Sequence, residues 1–237
     1  MIPKIIHYCW FGRNSLPELA LKCIKSWKTF LPDYEIKEWN EDNYDVHKIP
    51  YISEAYNARK YAFVSDFARF DILYHNGGIY FDTDVEVIKN LTPIIEQGAF
   101  MGIERKGKIN AGLGIASPTG TDIFREIIES YTEEKFLKDD DSFNLKTVVT
   151  RVSDIFKQFG FTDEEKIQEI KGYKIYPMEY FCPKNFVTGK LHLTENSYTI
   201  HYYDGSWIPS WKKKLLKLWL PFEEKFPNLA ARIKKLQ

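Results

Sequence analysis

Lys4-Ile-Ile-His-Tyr-Cys-Trp10 is a short, mostly apolar run closed by Phe11-Gly12, which predicts a buried strand. From about Pro17 the apolar residues Leu19, Cys23, Trp27 and Phe30 recur at helical spacing until Pro32 ends the pattern. Tyr34 to Trp39 then alternates and predicts a second strand. A strand, a helix and a strand in succession form the βαβ unit of a parallel sheet. A longer helical pattern runs from roughly Ser53 to His75, with Phe63, Phe67, Phe70 and Tyr74 on its apolar stripe. Asn76-Gly77-Gly78 then suits a chain leaving a helix through a left-handed residue.

The next segment, Ile79-Tyr-Phe-Asp-Thr-Asp-Val-Glu-Val87, alternates as a strand. Ile79, Phe81, Val85 and Val87 fall on one side, and Tyr80, Asp82, Asp84 and Glu86 on the other. Further on, strands are expected at Phe100 to Ile103, Leu113 to Ala116, Lys174 to Tyr176 and Tyr198 to Tyr202. Helices are expected at Thr121 to Tyr131 and Lys146 to Phe159. No internal repeat or low-complexity linker interrupts the chain, and Lys138-Asp-Asp-Asp-Ser142 reads as a solvated loop.

Asp82-Thr83-Asp84 is the centre of the candidate chemistry. Two carboxylates make a strand end a poor core element, because a buried unpaired carboxylate costs several kcal/mol. On one side of an extended strand they can face one hard cation. Mg²⁺ or Mn²⁺ takes one or two protein carboxylates and leaves room for phosphate oxygens and water. A strand end pointing two Asp into solvent is the plain alternative. Upstream, Asp66 and Arg69 share a helix face beside the Phe stripe. They are either a surface ion pair or an acceptor and a donor for sugar hydroxyls. Taken singly, Trp10 suits the core, Asn110 a turn and His201 a hydrogen-bonded structural role.

In combination, three segments resemble successive motifs of the DXD sugar-transferase family: Pro3-Lys-Ile-Ile-His-Tyr-Cys-Trp-Phe-Gly12, Ala62-Phe-Val-Ser-Asp-Phe-Ala-Arg69 and Asn76-Gly-Gly-Ile-Tyr-Phe-Asp-Thr-Asp84. That family includes bacterial capsule and lipopolysaccharide glycosyltransferases and is similar to yeast mannosyltransferases and clostridial glucosylating toxins. The likeness continues through Ile109-Asn-Ala-Gly-Leu-Gly114, Tyr176-Pro-Met-Glu-Tyr-Phe-Cys-Pro183 and His201-Tyr-Tyr-Asp-Gly-Ser-Trp207, over about residues 1–211. It implies an α/β fold of GT-A type, a Rossmann-like αβα sandwich with the nucleotide at the carboxyl ends of its strands. By the same likeness, Trp10 stacks on the base, Asp66 and Arg69 bind the donor sugar, and Tyr80 and Asp82 lie near the ribose. Asp84 is implied as the direct ligand of Mn²⁺ or Mg²⁺, with Asp82 assisting. Asn110 is implied to touch the hexose or acceptor, while His201, Ser206 and Trp207 close on metal and diphosphate. An imidazole ligand favours Mn²⁺ over Mg²⁺. The implied reaction is retaining transfer of a hexose from a nucleotide sugar, UDP by analogy with the bacterial relatives, to a glycan or lipid-linked acceptor in surface polysaccharide synthesis.

Composition changes the picture in two places. The 33 basic and 33 acidic residues balance, which argues against a nucleic-acid partner. The balance hides a tail, residues 212–237, with eight Lys/Arg and two Glu. There Lys212-Lys-Lys-Leu-Leu-Lys-Leu-Trp-Leu220 and the spacing of Phe222, Phe226, Leu229 and Ile233 predict a basic amphipathic helix. Such a helix either lies on an anionic membrane or packs on the catalytic domain, residues 1–211. Cys9, Cys23 and Cys182 have neither zinc nor redox spacing, no apolar run nears the roughly 20 residues of a membrane span, and the N-terminus has no signal-peptide pattern. A cytoplasmic protein, peripheral at the inner face of the membrane, is expected. Two other classes share part of the pattern. In haloacid-dehalogenase-type phosphotransferases an apolar strand precedes Asp-X-Asp-Val, and the first Asp attacks phosphorus. A metal-dependent sugar-binding module would bind saccharide without releasing a nucleoside diphosphate.

Overall fold

A computed structural model of the chain describes residues 1–186 and 188–204. Ser206, Trp207 and the expected tail from Lys212 lie outside the described residues. The N-terminal βαβ unit forms as its pattern predicts. Strand β1 (Ile5–Cys9) runs parallel to β2 (Glu35–Trp39), in register from Ile5 opposite Glu35 to Cys9 opposite Trp39. Between them α1 (Glu18–Phe30) buries Ala20, Cys23 and Trp27, one stripe at three- and four-residue spacing.

The expected helix from Ser53 to His75 is two helices, α2 (Pro50–Asn57) and α3 (Tyr61–Asn76). Arg59, at φ 57°, takes the left-handed position between them. The amides of Arg59 and Lys60 donate back to the carbonyls of Tyr56 and Ala55, both at 2.8 Å, which is a helix-ending Schellman pattern. Glycine usually marks that position; an arginine there hides the break from a sequence reading.

Strand β3 (Gly78–Tyr80) lies parallel to β1 in the main sheet, whereas β4 (Val85–Val87) belongs to another. The single strand expected over residues 79–87 is therefore corrected. Val85 N–H donates to the Asp82 carbonyl at 3.0 Å, so Asp82-Thr83-Asp84 is a turn between strands of two sheets. The one-sided apolar pattern survives the turn, because Ile79, Phe81, Val85 and Val87 all enter one core cluster.

The remaining elements are α4 (Thr92–Ile95), β5 (Phe100–Arg105), β6 (Lys108–Asn110), β7 (Ile115–Ser117), α5 (Asp122–Thr132) and α6 (Val148–Gln158). After them come β8 (Gln168–Ile170), β9 (Tyr173–Tyr176), α7 (Met178–Phe181) and β10 (Thr199–His201). The main sheet has the order β2-β1-β3-β7-β5-β9-β8, with β6 also paired to β5; β10 and β4 form a separate antiparallel pair. One face of the main sheet packs on the apolar stripes of α2, α3, α5 and α6, and the other on α1, α4 and α7. This is the expected αβα sandwich. Among the described residues no helix is long and apolar enough to cross a membrane.

Candidate active site

The parallel strands β1 and β3 both end against a cavity of about 580 Å³. Trp10, just past β1, lines it, as do Asp82 and Asp84 just past β3. One face of α3 contributes Tyr61, Ala62, Ser65, Asp66 and Arg69. Their spacing of three and four residues is why a single helix face delivers all five. From the C-terminal side, His201 ends β10 and is held opposite Val85 by the pairing with β4. Thus the small two-stranded sheet, not the main one, brings the late histidine to the turn.

Asp82, Asp84 and His201 present ligand atoms all within 4.8 Å of one another. Their donor set of two carboxylates and an imidazole fits a divalent cation of intermediate hardness. His201 Nε2 lies 3.2 Å from Asp84 Oδ1, while its Nδ1 is buried without a hydrogen-bond partner among the described residues. Asp84 Oδ2 accepts from the Asp204 amide at 2.8 Å, and the Asp84 carbonyl from the Tyr202 amide at 2.9 Å. Burial opposes the charge on Asp84, but the imidazole and the Asp204 N–H outweigh it and hold its pKa down to about 2. Burial likewise opposes a charge on His201, and Asp84 more than compensates, raising it above the usual histidine value.

Asp66 and Arg69 are not a surface pair. Arg69 is 3% exposed, and its Nη2 reaches Asp66 Oδ1 at 2.8 Å and Asp82 Oδ1 at 3.2 Å. The guanidinium also lies 5.0 Å from the centre of the Tyr80 ring, and the Tyr80 hydroxyl donates to Asp82 Oδ1 at 3.1 Å. Asp82 is thereby held from three sides, since its amide donates to the Gly112 carbonyl at 3.1 Å. Burial pushes Asp66 up to about 6 even against the attraction of Arg69. At that value a carboxyl can accept or donate near neutral pH.

The structure also brings Trp10 and Asn110 to this cavity. Trp10 is half-buried, its Nε1 donating to the Asn14 carbonyl at 2.6 Å, so the ring is neither core nor free. Asn110 is buried, with Oδ1 accepting from Gly112 N–H at 2.7 Å and Nδ2 donating to Glu104 Oε2 at 2.6 Å. Sequence reasoning missed Glu104, Gly112 and Tyr203. Glu104 had a signal, a carboxylate ending the apolar strand that begins at Phe100, and Gly112 stood inside a motif already singled out. Tyr203 likewise stood inside the motif that begins at His201; it sits at φ 56°, with its ring 4.2 Å from that of His201 and its hydroxyl 2.7 Å from Cys182 Sγ.

Residues 17–101 match the family model of the glycosyltransferase sugar-binding region containing the DXD motif. Inositol phosphoceramide mannosyltransferase 3 of Schizosaccharomyces pombe is 34% identical over 108 residues, which are 42% of this chain and 29% of that protein. The chain thus matches about a third or less of the length of the fungal relatives, since the second such mannosyltransferase is covered to 33%. An uncharacterized glycosyltransferase of Acanthamoeba polyphaga mimivirus is 26% identical over 238 residues, covering 95% of this chain and 90% of the viral one. Among solved structures, PaToxG glycosyltransferase superposes with a TM-score of 0.53 at 17% identity, over 66% of this chain and 69% of that one. The resemblance to the DXD sugar-transferase family and the GT-A type of fold are both borne out.

Proposed function

We propose that this chain, a DXD-type glycosyltransferase by family, transfers a hexose from a nucleotide sugar to a glycan or lipid-linked acceptor in a metal-dependent, retaining reaction. The observation that carries this reading is the convergence of Asp82, Asp84 and His201 on one cavity at the carboxyl ends of parallel strands. Asp84, Asp82 and His201 would hold Mn²⁺ or Mg²⁺, whose Lewis acidity steadies the charge on a departing diphosphate by several kcal/mol. Trp10 offers a ring for the nucleotide base. Asp66 and Arg69 offer an acceptor and a donor to the hexose, and Arg69 keeps Asp82 aimed at the same place. Asn110, its amide fixed from both ends, faces the reacting sugar. Positioning of two reactants in this way supplies much of the remaining acceleration. Ser206 and Trp207 complete the nucleotide side by family likeness.

The fungal relatives are named mannosyltransferases, so mannose stands beside glucose and galactose as the hexose to try, and GDP beside UDP. Surface polysaccharide synthesis at the cytoplasmic face of the membrane suits the basic tail; a tail that docks there would pull the protein down with anionic but not neutral vesicles. The test of the central reading is a panel of UDP- and GDP-sugars with Mn²⁺, scored by slow nucleoside diphosphate release without acceptor. One donor should be turned over, and EDTA should stop it. Release of phosphate from p-nitrophenyl phosphate instead, or full turnover in EDTA, would overturn the reading.

A further inference from the structure

The cavity has two flanks that meet at Asp82 and Asn110. On one are Asp66 and Arg69 of α3; on the other are Glu104, Tyr203 and Phe186. Glu104 sits at the irregularity of the β5–β6 pairing, between Ile103 opposite Ile109 and Arg105 opposite Lys108, and its side chain accepts from the Asn110 amide. Its side chain is only 12% exposed. Asn110 Nδ2 is its one hydrogen-bond donor among the described residues, and that bond commits Oε2. For Oε1 the nearest cation among the described residues is Arg105, at 3.8 Å, beyond hydrogen-bond reach. A carboxylate offers about four acceptor positions, and no described residue fills those of Oε1 in the cavity that Glu104 lines. Nor does a metal explain it, since Glu104 lies outside the Asp82, Asp84 and His201 group.

Beside it, Phe186 is 40% exposed, an unusual state for a large apolar ring, and packs edge-on at 4.9 Å against Tyr203. A carboxylate with a free oxygen next to an open ring is the combination a saccharide needs: a hydroxyl to donate and a C–H face to cover. We propose that Glu104 and Phe186 form the subsite for the acceptor saccharide, Glu104 accepting one of its hydroxyls and Phe186 covering its ring. The inference rests on the function proposed above, which assigns the Asp66–Arg69 flank to the donor sugar and leaves this flank to the acceptor.

Glu104→Gln keeps an oxygen for Asn110 but replaces the other acceptor by an N–H donor, and Phe186→Ala removes the ring from an exposed position. The experiment measures nucleoside diphosphate release from whichever nucleotide sugar the parent protein hydrolyses with Mn²⁺, with and without methyl α-mannoside, methyl β-galactoside or methyl β-glucoside. At least one glycoside should accelerate release by the parent. Its half-maximal concentration should rise tenfold or more in both variants. Calorimetry with UDP or GDP and Mn²⁺ should show parent-like nucleotide binding by both. The subsite is overturned if the half-maximal concentrations do not move, if none of the three glycosides affects the parent, or if Glu104→Gln loses nucleotide binding, which would place Glu104 on the metal side. A parent protein that releases no nucleoside diphosphate from any donor overturns the broader function, and the subsite with it.

Discussion

At the scale of single residues, the site is organised around Asp82 and Asp84, which play unequal parts. Asp84 is tied to His201 and to the Asp204 amide, and those partners, outweighing burial, keep it ionised far below neutral pH. Asp84→Asn removes the charge without changing the shape, so it should abolish metal-dependent nucleotide binding, seen by calorimetry, and lower turnover about a thousandfold, equivalent to about 4 kcal/mol. Its circular dichroism should match the parent. Gly112 gives a subtler test of Asp82. A Cβ there would stand 1.9 Å from Asp82 Oδ2, and its next nearest neighbours, Asp82 Cγ and Asn110 Oδ1, are side-chain atoms too. Because the far end of a side chain can rotate away, Gly112→Ala should fold, with a thermal midpoint near that of the parent. The rotated carboxylate would no longer face His201, so turnover should fall at least tenfold and recover in part as Mn²⁺ is raised. Parent-like turnover at low Mn²⁺ would show that Asp82 does not need its observed position. Trp10→Ala should weaken free nucleotide binding by about 1–3 kcal/mol, the range for base stacking on an aromatic ring.

At the scale of elements, α3 is the part that carries the most. Its inner stripe of Phe63, Phe67 and Phe70 anchors it in the core, and its next face turns Asp66 and Arg69 to the cavity. Its exit sets where β3 and then Asp82 begin. Gly77 makes that exit at φ 62° and ψ −163°, a region essentially closed to other residues, and a Cβ there would approach Pro3 to 2.8 Å. Gly77→Ala should therefore cost about 1–3 kcal/mol in urea unfolding, from backbone strain alone. A change within a few tenths of a kcal/mol would mean the exit relaxes freely. The Asn76-Gly-Gly sequence announced this turn, whereas the helix break at Arg59 did not, because nothing in an arginine's chemistry favours a left-handed backbone. The βαβ start was legible for the opposite reason: its periodicities of two and 3.6 follow from which side of each element is buried.

At the scale of the whole molecule, β1 is tied to the α3 exit through a buried histidine. His7 Nδ1 accepts from Trp39 Nε1 at 3.0 Å, which makes Nε2–H the donor to the Gly77 carbonyl at 2.9 Å. Burial lowers the pKa of His7 from 6.5 to about 4, only partly offset by the Gly77 bond. The folded chain thus resists a proton that the unfolded chain takes up. Stability from this source is complete above pH 6.5 and is lost as the pH falls toward 4. At pH 5 the loss should be about 2 kcal/mol, at roughly 1.4 kcal/mol per unit. His7→Gln can keep both hydrogen bonds without titrating, so urea midpoints at pH 7 and pH 5 should differ less for it than for the parent. An equal drop in both proteins would assign the acid sensitivity elsewhere. By itself the sequence determined the layered α/β fold, the resemblance to a sugar-transferase family, and the identity of Asp66, Arg69, Asp82, Asp84, Asn110 and His201 as candidates, because apolar periodicity and motif order are local properties of a chain. Only the tertiary structure decided that the Asp-Thr-Asp segment is a turn between two sheets, that Arg69 bridges Asp66 and Asp82, and that Glu104 joins the cavity. Those facts depend on which distant strands pair and on what burial does to a charge, and no stretch of neighbouring residues encodes either.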